Sequence, residues 1–483
     1  MTSAAVTATV MAYIAVLFVV SYISGRKSDN AGFFIGNHRT TWYMAAFAMI
    51  SAAMSGVTFI SLPGSVAADS FSYLQMTMGF TAGQMVIAFV LIPLFFRRKM
   101  VSLYQYLDER FDITVHRTGA WFFLVSKVLG ASLKIYVVCA VMQLLVFDPN
   151  GLPFALNVLV TMCFVWLYTN RGGVRSLIWT DTLKTVCLVS SLVLSIVFIA
   201  RGLGMSTAEV IDRIGTSEYS RVFFLDDPSS SRYFWKMFFS GLFVVVAMTG
   251  LDQDMMQLNL SCRTQRDAKI NIFITAFFQI IIIVLFLALG VLLYTYATDK
   301  GLAIPEKSDQ LFAQVAVNGG LPTVVGVVFV LGLIASTYSA AGSALTALTT
   351  SFTVDILNGP ERYDEHRLTR VRRIVHVVMA VVMGVAIVAF DLFSDDSTIN
   401  LIYKVVGYTY GPLLGMFAFG MLTHYRIRGR FMPYIAVASP LLSALLQYAA
   451  REYFDYAIGF ELLVYNALIT MAGMMLTVKR NED

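Results

Sequence analysis

The chain has 483 residues, of which 58% are hydrophobic and only 13% charged. A soluble domain carries about 25% charged residues, so the composition excludes an ordinary globular protein and describes a polytopic membrane protein set in a lipid bilayer. The formal net charge of +5 does not indicate nucleic acid; it matters through where the positive residues lie.

Apolar runs long enough to cross a bilayer occur at 4–24, 42–67, 73–96, 118–147, 152–170, 178–200, 234–256, 269–297, 320–353, 374–393, 400–423, 431–450 and 457–478. At roughly 20 apolar residues per crossing, these predict about 13 transmembrane helices in one all-α transporter domain. No basic leader precedes the first run, so Thr2–Ser24 reads as a retained span and not a cleaved signal peptide. Spans 2 to 6 (42–200) and 7 to 11 (234–423) form two blocks of five, after an extra N-terminal helix (4–24) and before two C-terminal helices (431–478). An odd block size requires the second block to be inverted in the membrane.

Loop charge sets the expected orientation. Arg26, Lys27 and Arg39 follow the first span, and Arg97, Arg98, Lys99, Arg110 and Arg117 the third. Arg171 and Arg175, then Arg263, Arg266 and Lys269, follow the fifth and seventh. Arg362, Arg367, Arg370, Arg372 and Arg373 follow the ninth, Arg426, Arg428 and Arg430 the eleventh, and Lys479 and Arg480 the last. The alternate loops hold Asp69, Asp148, Asp391, Asp395 and Asp396. Positive charge stays cytoplasmic, which puts the N-terminus outside and the C-terminus inside a plasma (inner) membrane.

The second span is interrupted. Within Ile50–Gly64, Ser51, Ser55, Gly56, Thr58, Ser61 and Gly64 bring small and hydroxylic residues to membrane depth, and Pro63 lacks a backbone donor. A loosened helix survives in lipid only where protein or a watery cavity covers it, and its free carbonyls can then face a cation or solute. Close helix packing is the other reading of the same small residues. The seventh span carries similar interruptions at Ser240–Gly241 and Thr249–Gly250. Interrupted helices at matching places in two halves point to a transporter binding site.

Ionisable residues inside the membrane are costly and usually functional. Lys127 and Lys134 are seven apart in the fourth span and share a face, reaching either a solute or a buried acid. Asp181, just inside the sixth span, can ligate a cation or pair with Lys184 one turn on. Ser336, Ser339 and Ser343 line one face of the ninth span with hydroxyl oxygens suited to a hard cation, or bonded back to their own helix. Asp252 and Asp254 read as a cytoplasmic gate or loop contact. The five histidines fall in loops or near span ends. No HExxH or P-loop pattern is present, so catalysis has no candidate. Cys139, Cys163, Cys187 and Cys262 show no CxxC pairing and read mainly as buried thiols.

Together these stretches resemble the sodium/solute symporter family of sodium/galactose, sodium/proline and sodium/sialic-acid carriers. They are Ser55-Gly56 to Leu62-Pro63-Gly64; Tyr104-Gln105-Tyr106-Leu107-Asp108-Glu109-Arg110-Phe111, similar to YxYLExRF; Gly172-Gly173 to Thr180-Asp181; Gly250-Leu251-Asp252-Gln253; and Ser339 to Ser343 followed by Thr353-Val354-Asp355-Ile356. The resemblance implies a LeuT-like inverted 5+5 helix repeat with extra helices. It implies Na⁺ as coupling ion, held by carbonyls of Ser51, Met54 and Ser336 and the hydroxyl of Ser339. The next position, usually Ser or Thr, is Ala340 here, leaving Ser343 or water to substitute. A second ion in some members would use Asp181, Ser339 and Ser343. Here Gly342 replaces an expected serine, and TDxxQ becomes Thr180-Asp181-Thr182-Leu183-Lys184. Family substrate sites map near Ser55, Thr58, Tyr73, Gln75 and the Val245, Met248 and Thr249 stretch, to which the membrane lysine Lys134 is added. Ala53 stands where sodium/proline carriers have aspartate.

The expected activity is Na⁺-coupled symport of a small polar organic solute by alternating access: a sugar, sialic acid, amino acid or monocarboxylate. Proton coupling is an alternative through Asp181 and the lysines. A transporter-like sensor is another, but a sensor should carry a signalling domain, and the sequence ends at Asp483 soon after its last span. A membrane-embedded enzyme should show buried acid, base or metal residues as a set, and none is evident.

Overall fold

The computed structural model describes residues 3–25, 30–35, 38–98, 100, 102–170, 173–393, 398–456 and 458–479. Of the residues used above for orientation and motifs, Thr2, Arg26, Lys27, Lys99, Arg171, Gly172, Asp395, Asp396, Arg480 and Asp483 lie outside the described residues. So do the side chains of Arg175 and Ser339.

The described chain is helical, with two isolated β-bridges, Thr40 to Cys262 and Ile427 to Val478. In order, the apolar helices are α1 (Ser3–Gly25), the pair α2 (Trp42–Ala53) and α3 (Gly56–Gly64), α4 (Tyr73–Arg98), α5 (Ile113–Met142), α6 (Phe154–Thr169) and α7 (Val174–Gly202). Then come the pair α8 (Phe234–Gly250) and α9 (Gln253–Leu260), α10 (Gln265–Asp299), α11 (Thr323–Ile356), α12 (Glu365–Phe393), α13 (Thr398–Leu422), α14 (Met432–Phe454) and α15 (Leu462–Leu476). Among the described residues, 9 helices are long and apolar enough to cross a membrane, or up to 11 if each bent pair is one span; α6 and α15 are shorter apolar helices. Each of these coincides with one of the apolar runs expected from sequence.

The two interrupted spans are broken, and not where proline would break them. The α2/α3 pair bends by 56° at Met54–Ser55, while Pro63 sits quietly inside α3 near its end. A proline this close to a helix terminus removes little of the hydrogen-bond ladder. Ser55 turns extended (φ −80, ψ 169) and starts α3 at its N-cap position, without a side-chain capping bond. The α8/α9 pair bends by 65°. There α8 ends in a π-helical turn, Val246–Gly250, and Asp252 caps α9 by accepting from the Asp254 backbone N–H at 2.8 Å. An aspartate at an N-cap satisfies orphan donors and meets the positive end of the helix dipole.

Small residues set the closest packing. A Cβ at Gly79 or Gly83 in α4 would run into the backbone of Phe238 and Leu242, and one at Gly241 in α8 into Met76. The two helices therefore touch backbone to backbone, the way membrane helices gain contact without a hydrophobic drive. Gly56, at the α2/α3 break, is similarly closed in by Thr337 of α11 and Val138 of α5, so the break is pinned against both helices. The 201–233 loop carries a short helix, Thr207–Thr216, with a Ser206/Glu209 capping box. The Ser206 backbone N–H holds the exposed Glu209 carboxyl below its usual range. All four cysteines are free; Cys139 and Cys262 are buried, Cys163 is exposed and Cys187 half-buried.

Candidate functional site

Both helix breaks open onto one cavity of about 140 Å³. Ala53, Met54 and Ser55 reach it from the first break, and Thr249, Asp252 and Asp254 from the second. The α5 face supplies Lys127, Gly130 and Lys134, α11 supplies Ala340 and Ala344, and α13 supplies Val406 and Tyr410. A break at membrane depth exposes the last carbonyls of one half-helix and the first N–H groups of the next, and both kinds of group lie where an ion or solute can use them.

Of the sequence-derived solute residues, Ser55, Thr58, Tyr73, Lys134, Val245, Met248 and Thr249 line this cavity. Gln75 does not. Its amide is spent on the 201–233 loop, donating to the Arg232 carbonyl at 2.9 Å and accepting from the Phe224 N–H at 3.1 Å. Two residues apart at the start of α4, Tyr73 faces the cavity while Gln75 faces the 201–233 segment, a split that a sequence register cannot resolve.

The cation candidates divide in the same manner. Met54 lies in the break and lines the cavity; Ser51 is buried in the last turn of α2. Ser336 is buried in α11 with its hydroxyl donating back to the Leu333 carbonyl at 2.8 Å, so its side chain is already committed to its own helix. Ser343 is buried and its hydroxyl has no hydrogen-bond partner among the described residues. Carbonyls released at a helix C-terminus suit a hard cation that prefers oxygen ligands, and the Ser343 hydroxyl is a further oxygen without a hydrogen-bond partner among the described residues. Among the described residues no group of three or more His, Cys, Asp or Glu could hold a metal ion.

Asp181 has another companion. The fully buried Lys184 ammonium donates to its Oδ1 at 3.0 Å and lies 4.9 Å from the centre of the Tyr168 ring. Tyr168 in turn donates its hydroxyl to the Tyr338 carbonyl of α11, and that hydroxyl fills the space a side chain at Gly342 would need. The missing serine and the added lysine thus belong to one arrangement, in which a tethered ammonium stands beside the carboxylate.

Sequence reasoning took Asp252 and Asp254, at the end of the seventh span, as a gate or loop contact and not as part of the binding site; in the fold they line the cavity. Lys127 donates to both Asp252 oxygens at 3.2 and 3.0 Å and approaches Asp254 Oδ2 at 2.6 Å. Tyr410 donates to Asp252 Oδ2 at 2.5 Å. This buried cluster ties α5, the second break and α13 together. The lysine was visible as an intramembrane charge, but nothing in the sequence pairs it with residues more than a hundred positions away, or brings Tyr410 to the same place. Two of the histidines are buried and bonded. His116, buried near the start of α5, meets Asp355 at 3.0 Å, which also accepts from Ser102 and Ser351. His376, inside α12, bonds to Thr169 and Thr349 at 2.8 Å each.

A bundle of membrane-length helices in which two broken spans meet at one cavity is a LeuT-like fold, an arrangement that transporters use to build binding sites. A solved substrate-bound, outward-open Na⁺-coupled sialic acid symporter matches with a TM-score of 0.84 at 18% identity, covering 98% of this chain and 99% of that one. Mhp1, a nucleobase-cation-symport-1 family transporter in a closed conformation, matches at 0.56 with 13% identity over 93% and 94% of the two chains. Residues 33–433 match the profile of the sodium:solute symporter family, and the chain belongs to that family.

Curated relatives agree over most of this chain. The Homo sapiens sodium/iodide cotransporter is 24% identical over 83% of this chain and 62% of its own length. The Oryctolagus cuniculus sodium-dependent multivitamin transporter is 25% identical over 78% and 59%. The Homo sapiens sodium-coupled monocarboxylate transporter 1 is 25% identical over 84% and 66%. The chain therefore spans less than two thirds of the length of these relatives.

Proposed function

We propose that this chain is a Na⁺-coupled symporter that carries a small polar solute through the membrane by alternating access. The observation that carries the reading is the α2/α3 break at Met54–Ser55, pinned against α11 and open to a cavity shared with the α8/α9 break. Na⁺ would be held by carbonyls of Ser51, Met54 and Ser336 and by hydroxyls of Ser339 or Ser343. The solute would sit against Ser55, Thr58, Tyr73, Lys134, Val245, Met248 and Thr249. Na⁺ drives uptake by preferring the outward-open state, since a ligand shifts an equilibrium only through differential affinity. One ion per cycle is supported by Lys184, whose ammonium already neutralises Asp181.

The two inverted repeats are assigned to 42–200 and 234–423, with the breaks in the first helix of each. The N-terminus is assigned outside and the C-terminus to the cytoplasm, on the alternation of basic loops. Uptake of labelled solutes into proteoliposomes with and without an inward Na⁺ gradient tests the function. Saturable uptake that follows the Na⁺ gradient supports it, and uptake indifferent to Na⁺ overturns it.

A further inference from the structure

We propose that Lys134 is an anion receptor and that the solute is a small monovalent anion, with a short-chain carboxylate as the best fit. The proposal rests on the symport reading above and deepens it. Lys127 and Lys134 both line the cavity, but they are in different situations. Lys127 is engaged by Asp252 and Asp254, and Tyr410 takes a further place on Asp252. Lys134 makes no ion pair and no hydrogen bond among the described residues, yet it sits partly buried at membrane depth against the same cavity. An ammonium there is expensive and needs a counter-charge. The carboxylates that could supply one already hold Lys127.

Charge balance carries the argument further. The charged side chains lining the cavity are Lys127, Lys134, Asp252 and Asp254, which sum to zero. A bound Na⁺ makes the site cationic, and a monovalent anion restores neutrality. A neutral sugar or a zwitterion leaves the extra positive charge uncompensated in a poorly solvating interior. Cation and anion thus each favour the other's binding, which is the coupling that symport requires.

Space and polarity agree. A Cβ built on Gly130, one turn before Lys134, meets nothing within 4 Å, so a ligand can approach the ammonium from that side. Ser55 and Thr58 line the cavity with hydroxyls that make no hydrogen bond among the described residues. Phe80, Val245 and Met248 supply apolar wall. One anionic group beside the ammonium, with a short apolar body against Phe80, Val245 and Met248, matches this part of the lining.

The test uses the full chain in proteoliposomes and in detergent. Propionate and iodide are the two anion probes, with propionamide, a neutral hexose and alanine as controls. Na⁺-driven uptake of propionate or of iodide is expected, and the comparison tells an organic from an inorganic anion. Lys134→Met should raise the half-saturating anion concentration by roughly tenfold to a hundredfold, with Lys134→Arg restoring much of it. In the absence of any anion, the same Lys134→Met should bind radioactive Na⁺ more tightly than the parent, because a positive charge has been removed nearby. A merely structural lysine would not shift the two affinities in opposite directions. Na⁺-driven uptake of hexose or alanine, uninhibited by propionate or iodide, overturns the anion assignment and leaves symport standing. Should no solute follow the Na⁺ gradient, symport falls. Failure of propionate and iodide to bind in equilibrium dialysis then rejects the anion receptor as well.

Discussion

Replacing Lys127 with methionine tests the cluster that joins the two halves of the site. The substitution keeps an unbranched side chain of similar length but removes the ammonium that contacts Asp252 at 3.0 Å and Asp254 at 2.6 Å. Both carboxylates are buried, and among the described residues only Tyr410 remains as a side-chain donor to Asp252. Breaking a buried ion pair by removing one partner costs about 3–5 kcal/mol, because the uncompensated charge stays behind. Unfolding entropy of about 2.1 cal/mol/K per residue gives roughly 1 kcal/mol per degree for a chain of 483 residues. The expected loss is therefore roughly 3–5 °C in Tm, read by thermal unfolding of detergent-purified protein. The triple variant Lys127→Met, Asp252→Asn, Asp254→Asn removes all three charges and should recover most of the loss, as buried ion clusters often do when replaced whole. An unchanged Tm in Lys127→Met would refute the idea that this ammonium holds the two carboxylates in the interior. A triple variant no better than the single would refute the charge explanation and leave only packing.

Ser339→Ala should raise the Na⁺ concentration for half-maximal uptake by roughly tenfold to a hundredfold if its hydroxyl is an ion ligand, and Ala340→Ser should lower it; no movement in either removes Ser339 from the ion site. Na⁺ dependence of uptake should show a Hill coefficient of about one in the parent, because a single site gives no cooperativity; a value near two would mean that Lys184 does not stand in for an ion. Lys184→Met should destabilise the protein by about 3–5 kcal/mol, and adding Asp181→Asn should restore it, measured by the same unfolding assay. Single cysteines placed near Thr2 and Asp483 and probed with an impermeant thiol reagent should label from outside at Thr2 only; the reverse pattern rejects the assigned orientation.

The sequence by itself determined the class, the number and the place of the apolar helices, because hydrocarbon imposes a length and an apolarity on each crossing that survive any tertiary arrangement. It also marked both broken spans, since small and hydroxylic residues inside an apolar run are local signals. Ser55 and Asp252 each start a second half-helix where they stand, while Pro63, the more conspicuous breaker, sits too near a helix end to break anything. The lysines were legible as costly charges, and the Asp181–Lys184 pair as neighbours one turn apart.

What only the tertiary structure decided is which of these groups meet. Asp252 and Asp254 read as a gate or loop contact at a span end until the bend between α8 and α9 turns them into the cavity beside Lys127. Tyr410 carries no local sign of a role, and reaches Asp252 only because α13 packs on α5 and the second break. Gln75 and Tyr73 are two residues apart, yet one serves a loop and the other the cavity. Periodicity assigns a residue to a helix face, but the neighbour that face meets is set by side chains far away in the chain. For that reason the ion pairs, and the one lysine left over from them, become visible only once the helices are packed.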